Sequence, residues 1–184
     1  VRIIAGDWRG RRLASVGKGD PGAHLRPTTD RVRESLFNML SGGRFGDPFD
    51  GARVLDLFAG TGALGLEALS RGALSAVFVE KGRVGQKLIR DNIALLGCAE
   101  ETRLIGADAL RLPPTDAPCS LIFLDPPYGK SLGNKALSAA RDQGWIAPDA
   151  LIVFEESTPQ QAPEGFTVED TRRYGDTHVT VMRA

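Results

Sequence analysis

Asp125-Pro126-Pro127-Tyr128 is the stretch of this chain whose residue types and order could do chemistry. It follows Ser120-Leu121-Ile122-Phe123-Leu124, a short apolar run bounded by turn residues, which reads as a buried strand. Two prolines have no amide donor and hold φ at about −65°, so the chain must leave the sheet at Asp125 in a stiff, extended turn. The stiffness fixes together the Asp125 carboxylate, the Pro126 carbonyl and the Tyr128 ring. Such a corner suits an exocyclic amino group on a nucleobase, a poor nucleophile because its lone pair is delocalised into the ring. Two acceptors aimed at its hydrogens hold it and turn the lone pair toward an electrophile. Asp125 and the Pro126 carbonyl would be those acceptors, and Tyr128 the platform for a base taken out of its stack. A plain turn that ends a strand carries the same four letters, so the surroundings must decide.

Three further strand ends carry polar groups. Arg53-Val54-Leu55-Asp56-Leu57-Phe58 reads as a strand, followed by Ala59-Gly60-Thr61-Gly62-Ala63-Leu64-Gly65 and a helix to about Arg71. Gly60, Gly62 and Gly65 have the G-x-G-x-x-G spacing that lets backbone approach a ligand at a helix start. Asp56 departs from the dinucleotide pattern: an acid before the loop repels a pyrophosphate and attracts an ammonium, which points to a cofactor bearing an amino acid. Glu80 ends the strand Ala76–Val79, 18 residues after Gly62, where an acid accepts ribose hydroxyls. Asp108 follows a third strand, 103–105, and could accept from an adenine amino group or cap a helix. Arg26 and Thr28 precede a helix whose start favours an anion, so they could hold a carboxylate or phosphate.

These groups need a frame. Helices are expected over 31–40 with Val32, Leu36, Met39 and Leu40 as the apolar stripe, over 82–96, and over 132–144. Strands are expected over 150–154, 166–174 and 177–182, with Gly175-Asp176 as a two-residue hairpin turn. The fold class is α/β: a Rossmann-like, doubly wound sheet, mostly parallel, with one antiparallel strand in a C-terminal hairpin. A β-hairpin is expected at the start, Arg2–Ala5 pairing with Arg11–Ala14 around Gly6-Asp7-Trp8-Arg9-Gly10. Residues 1–184 read as one domain, with 1–25 a basic hairpin and loop.

Composition is that of an ordinary globular chain: 42% hydrophobic and 25% charged over 184 residues. No run approaches the roughly 18 apolar residues of a membrane span, and no signal peptide opens the chain. Cys98 and Cys119 are lone thiols that fit a reducing compartment, and His24 and His178 are isolated, so no metal is expected. Net charge is zero but uneven. Residues 1–33 hold eight basic and three acidic side chains, leaving a net −5 for the rest. Arg2, Arg9, Arg11 and Arg12, with Trp8 between them, are a candidate RNA-binding surface, or else a solvated edge with Trp8 anchoring the hairpin.

Taken together, the chain resembles the Rossmann-like S-adenosylmethionine-dependent methyltransferases with a D/N-P-P-Y/F motif. It is most similar to the RsmD-type bacterial 16S rRNA guanine-N2 methyltransferases. The resemblance is carried by Arg2-Ile3-Ile4-Ala5-Gly6 with Trp8-Arg9-Gly10, Arg26-Pro27-Thr28 through Asn38, Asp56 to Gly62, Asp125 to Tyr128, and Tyr174-Gly175-Asp176-Thr177. It implies S-adenosyl-L-methionine as cofactor, with Asp56 and the Phe58–Gly62 backbone at the methionine end and Arg26 and Thr28 near its carboxylate. Glu80 would hold the ribose, and Asp108 and Ala109 would read the adenine. It implies methyl transfer to N2 of one guanine in 16S rRNA, within an assembling small ribosomal subunit, by a cytoplasmic monomer. N6-adenine methylation of DNA, methylation of a protein glutamine, and a cofactor-binding RNA chaperone remain alternatives.

Overall fold

The structure, a computed structural model, describes residues 1–16 and 29–184. Arg26 and Thr28 therefore lie outside the described residues. Helix α1 (Asp30–Leu40) comes first, followed by β1 (Arg53–Leu57), α2 (Ala63–Ser70), β2 (Ser75–Val79) and α3 (Arg83–Leu96). A 3-10 turn at Ala99–Glu101 leads into β3 (Thr102–Ile105), then come β4 (Cys119–Leu124), α4 (Leu132–Asp142), β5 (Ile146–Glu156), β6 (Thr167–Tyr174) and β7 (Thr177–Arg183).

The seven strands form one sheet in the order β3-β2-β1-β4-β5-β7-β6. Pairings from β3 through β5 are parallel, and β7 runs antiparallel to both of its neighbours. The doubly wound sheet with one reversed strand is thus the architecture expected from the alternation of strand and helix patterns. The order reverses between β1 and β4, the switch point outside whose carboxyl ends ligands bind in open α/β sheets.

Successive residues of the central strands face opposite sides. Val54, Leu121, Phe123, Leu151, Val153, Val179 and Val181 pack under α1, α2 and α3. Leu55, Leu57, Ile122, Leu124, Ile152, Phe154 and Met182 pack with Ala136, Leu137 and Ala140 of α4. Asp56 has the parity of Val54, so its carboxylate points under α2. The close approach of α2 depends on Gly65: a Cβ there would lie 2.5 Å from the Phe78 ring and 3.2 Å from Asp56 Oδ2.

Three expectations are refined. The buried face of α1 is Arg33, Leu36, Phe37 and Leu40, one step round from the expected Val32 and Met39, because Phe37 stacks on Phe49 at 5.3 Å. Strand β5 begins at Ile146 rather than 150: its pairing with β4 shifts register between Cys119 and Leu121, which accommodates Asp149 at φ +60°. Helix α4 ends at Asp142, two residues short of the expected boundary. At the amino terminus the expected hairpin exists with a single bridge, Arg2 to Arg12, flanked by Ile3 N–H to Arg11 O at 2.9 Å and Gly10 N–H to Ile3 O at 2.8 Å.

Candidate active site

At the end of β1 the backbone turns abruptly. Phe58 takes φ +58°, a strained value for a residue with a side chain, and Gly60 and Gly62 follow at φ +59° and +79°. The turn is held from outside by Glu80, which lies just past β2. Its Oε1 accepts from Gly60 N at 3.0 Å and its Oε2 from Gly82 N at 2.8 Å. One carboxylate thus joins the glycine loop to the start of α3.

Asp56 is fully buried, with Oδ2 accepting from Gly65 N at 3.0 Å. Burial pushes its carboxyl well above the usual carboxylate range, opposed by the Gly65 bond and assisted by the negative charges of Asp125 and Glu80. Asp125 leaves β4 beside it, with its backbone N–H directed to Leu57 O at 3.5 Å. Asp56, Asp125 and Phe58 line one crevice, walled further by Ala59, Thr61, Ala63 and Leu64. The sequence-predicted aspartates thus meet at the switch point.

The corner after Asp125 is braced from two strands. Pro126 is buried and Pro127 exposed. Half-buried Tyr128 shares a 3.1 Å hydrogen bond between its hydroxyl and that of Thr177, the first residue of β7. Gly129 N–H donates to Glu156 Oε1 at the end of β5, 3.1 Å away. The Tyr174–Thr177 turn therefore supports the corner. Asp108 Oδ1 accepts from Leu110 N at 2.9 Å, which makes it the cap of a turn beyond β3, and Ala109 is buried in the α4-side core. Neither lines the Asp56–Asp125 crevice.

Two site residues escaped sequence reasoning. Arg33 also lines the crevice, and no part of it is exposed. Burial lowers its guanidinium pKa, against the opposing charges of Glu67 and Asp30. Its Nη2 donates to Asp30 Oδ1 at 3.1 Å and to the Arg2 carbonyl, and its Nε lies 3.7 Å from Glu67 Oε1. Its Nη1 has no hydrogen-bond partner among the described residues. Glu67, equally buried on α2, accepts from Ile4 N at 2.8 Å, Ala5 N at 3.1 Å and Arg71 Nε at 2.9 Å. The signal for both was a charge inside an apolar stripe, at 33 within 33-36-37-40 and at 67 within Ala63–Ser70.

The hairpin is thereby fastened to α2 and α3. Asp7 N–H and Trp8 N–H donate to Ser70 O and Oγ at 2.8 and 3.0 Å, and Trp8 packs partly against the core. Arg11 Nη2 donates to Leu95 O at 2.7 Å. Arg2, Arg9, Arg11 and Arg12 are exposed. Among the described residues there is no group of three His, Cys, Asp or Glu side chains placed to hold a metal, and no helix long and apolar enough to cross a membrane.

Comparison with known proteins adds to this geometry. The family model described as Conserved hypothetical protein 95 matches residues 1–183. The chain is 43% identical over 165 residues to Ribosomal RNA small subunit methyltransferase D of Escherichia coli K12, covering 89% of this chain and 78% of that protein. It is 37% identical over 175 residues to the protein of the same name from Haemophilus influenzae, covering 91% and 86%. The solved structure of the Escherichia coli yhhF protein superposes with a TM-score of 0.81 at 33% identity, over 100% of this chain and 97% of that one. With the family model matched over nearly its whole length and these relatives alongside, the chain belongs to the RsmD family of Rossmann-like methyltransferases.

Proposed function

We propose that this protein transfers a methyl group from S-adenosyl-L-methionine to the exocyclic N2 of a guanine in 16S rRNA, in the cytoplasm, with an assembling small ribosomal subunit as substrate. The observation that carries the reading is the meeting of Asp56 and Asp125 in one crevice at the switch point, beside a glycine loop. The relatives named as small-subunit rRNA methyltransferases support the substrate class.

The residues present fit the cofactor. Its amino-acid end is a zwitterion, and the crevice is lined by an acid, Asp56, and by Arg33, whose buried Nε and Nη1 have no hydrogen-bond partner among the described residues. Arg26 and Thr28 remain assigned to the same carboxylate, Phe58 to Gly62 to the methionine end, Glu80 to the ribose, and Asp108 with Ala109 to the adenine. The cofactor supplies an electrophilic methyl on a sulfonium. The protein supplies position: the braced corner holds the Asp125 carboxylate and Pro126 carbonyl as acceptors for the guanine amino hydrogens. The Asp125 charge opposes the positive charge that develops on the attacking nitrogen. Tyr128 stacks the flipped base, and its hydroxyl is anchored on β7. The basic hairpin meets RNA phosphates.

The test is mass spectrometry of rRNA fragments after incubating the protein with isotope-labelled cofactor and small subunits from cells lacking the gene. The label is expected on N2 of one guanine. Label on adenine or on a protein side chain, or no label, overturns the reading. Asp125→Ala is expected to keep the affinity for S-adenosylhomocysteine while turnover falls by about 10²-fold or more. Undiminished turnover would leave Asp125 only a turn residue.

A further inference from the structure

The guanidinium of Arg33 is shared by three parts of the molecule. Nη2 holds the Arg2 carbonyl of the hairpin, together with Asp30. Nε faces Glu67, whose two oxygens hold the amides of Ile4 and Ala5. Nη1 is buried, without a partner among the described residues, in a side chain that lines the crevice. The hairpin also reaches that crevice directly: Val1 lines it, and the Val1 carbonyl accepts from Leu13 N on the opposite arm at 2.9 Å.

A guanidinium is planar, so its nitrogens do not move independently. A buried donor left unpaired is unfavourable, and an oxyanion in the crevice would relieve it. A ligand group that orders Nη1 therefore also orders Nη2 on Arg2 and Nε on Glu67. Coupling of this kind is reciprocal: whatever seats the hairpin must favour that ligand by the same factor. We propose that Arg33 is a positioning residue that links occupancy of the crevice to seating of the amino-terminal hairpin, with the carboxylate of the cofactor's amino-acid end as the linked group. The inference rests on the cofactor reading above. It goes beyond it by making the RNA-facing hairpin responsive to the cofactor. The donor is then expected to bind before RNA, because it completes the seating of the hairpin that RNA meets.

The experiment is hydrogen exchange of the hairpin amides of Ile3, Ile4, Ala5, Gly10 and Leu13. Three probes distinguish the sources of an oxyanion: S-adenosylhomocysteine, 5′-methylthioadenosine, which lacks the amino-acid end, and guanosine monophosphate. Saturating S-adenosylhomocysteine is expected to slow hairpin exchange by about five-fold or more. 5′-Methylthioadenosine should slow exchange at the glycine loop alone. Equal hairpin protection by the two nucleosides, or protection by guanosine monophosphate alone, overturns the proposal. So does glycine-loop protection by S-adenosylhomocysteine with hairpin exchange unchanged. No binding of S-adenosylhomocysteine by calorimetry would instead overturn the cofactor reading itself, and this inference with it. Arg33→Lys keeps the charge and loses the fork, so it should abolish hairpin protection; protection equal to the parent's would sink the proposal. In the reverse direction Glu67→Gln, which loosens Ile4 and Ala5, should weaken S-adenosylhomocysteine and leave 5′-methylthioadenosine unchanged. Equal weakening of both would count against the link. Should either variant fail to fold, the exchange measurements on the parent protein decide the matter.

Discussion

Asp56 is a carboxyl group with almost no exposure, held by one backbone amide and placed near two other acids. Burial raises its pKa in the folded protein above the unfolded value of 3.8. The sign of the linkage follows. Below the unfolded pKa the group is protonated in both states and its favourable contribution is fully present. As pH rises through the folded pKa that contribution is lost, because a charge must form in an apolar setting. Asp56→Asn should therefore be more stable than the parent above the raised folded pKa, with the difference vanishing in acid, as melting temperatures across pH would show. The same change removes the partner of an ammonium, so affinity for S-adenosylhomocysteine should fall by roughly tenfold or more. Stability unaltered across pH would mean that folding does not raise the pKa of the carboxyl, and unaltered affinity would mean that it contacts no ligand.

Between elements, α2 packs closely on β1 and β2 at Gly65. Alanine has the better helix propensity by about 1 kcal/mol, so propensity alone favours Gly65→Ala. The contacts oppose it, since the new methyl would meet Phe78 and the Asp56 carboxylate. We expect a net loss of about 1–3 kcal/mol in denaturant unfolding, the usual cost of overpacking, and a gain would show that α2 can shift outward freely. The strands of this layer were legible because apolar residues recur in short runs that end in glycine, proline or an acid. The carboxyl-terminal hairpin was legible from Gly175-Asp176. Less visible was the face of α1. Arg33 reads as surface in any scale of hydropathy, yet it is buried because Asp30, Glu67 and the Arg2 carbonyl surround it. Glu67 lies 34 residues from Arg33 and more than 60 from the hairpin amides it holds. Partners at that separation leave no local periodicity to read. The four polar strand ends were correctly located by spacing, but spacing did not say that Glu80 would turn inward to hold Gly60, or that Asp108 would cap its own turn.

On the scale of the whole molecule, charge is segregated. The hairpin arginines sit on a chain of zero net charge, and the structure sorts them. Arg9, Arg11 and Arg12 are all exposed, and Arg11 also donates to Leu95 O near the carboxyl end of α3. Arg9→Glu combined with Arg12→Glu should weaken binding to rRNA and lower the slope of log affinity against log salt by about 1–2, with S-adenosylhomocysteine affinity unchanged. Filter binding at several salt concentrations would show it. An unaltered slope would move the phosphate contacts to another face.

Strand β7 enters the sheet last in sequence yet lies inside it, between β5 and β6, and its first residue carries the hydroxyl that meets Tyr128. The glycine loop needs only β1, β2 and their helices. Under the proposed function the acceptor corner therefore leans on the carboxyl-terminal strand in a way that the glycine loop does not.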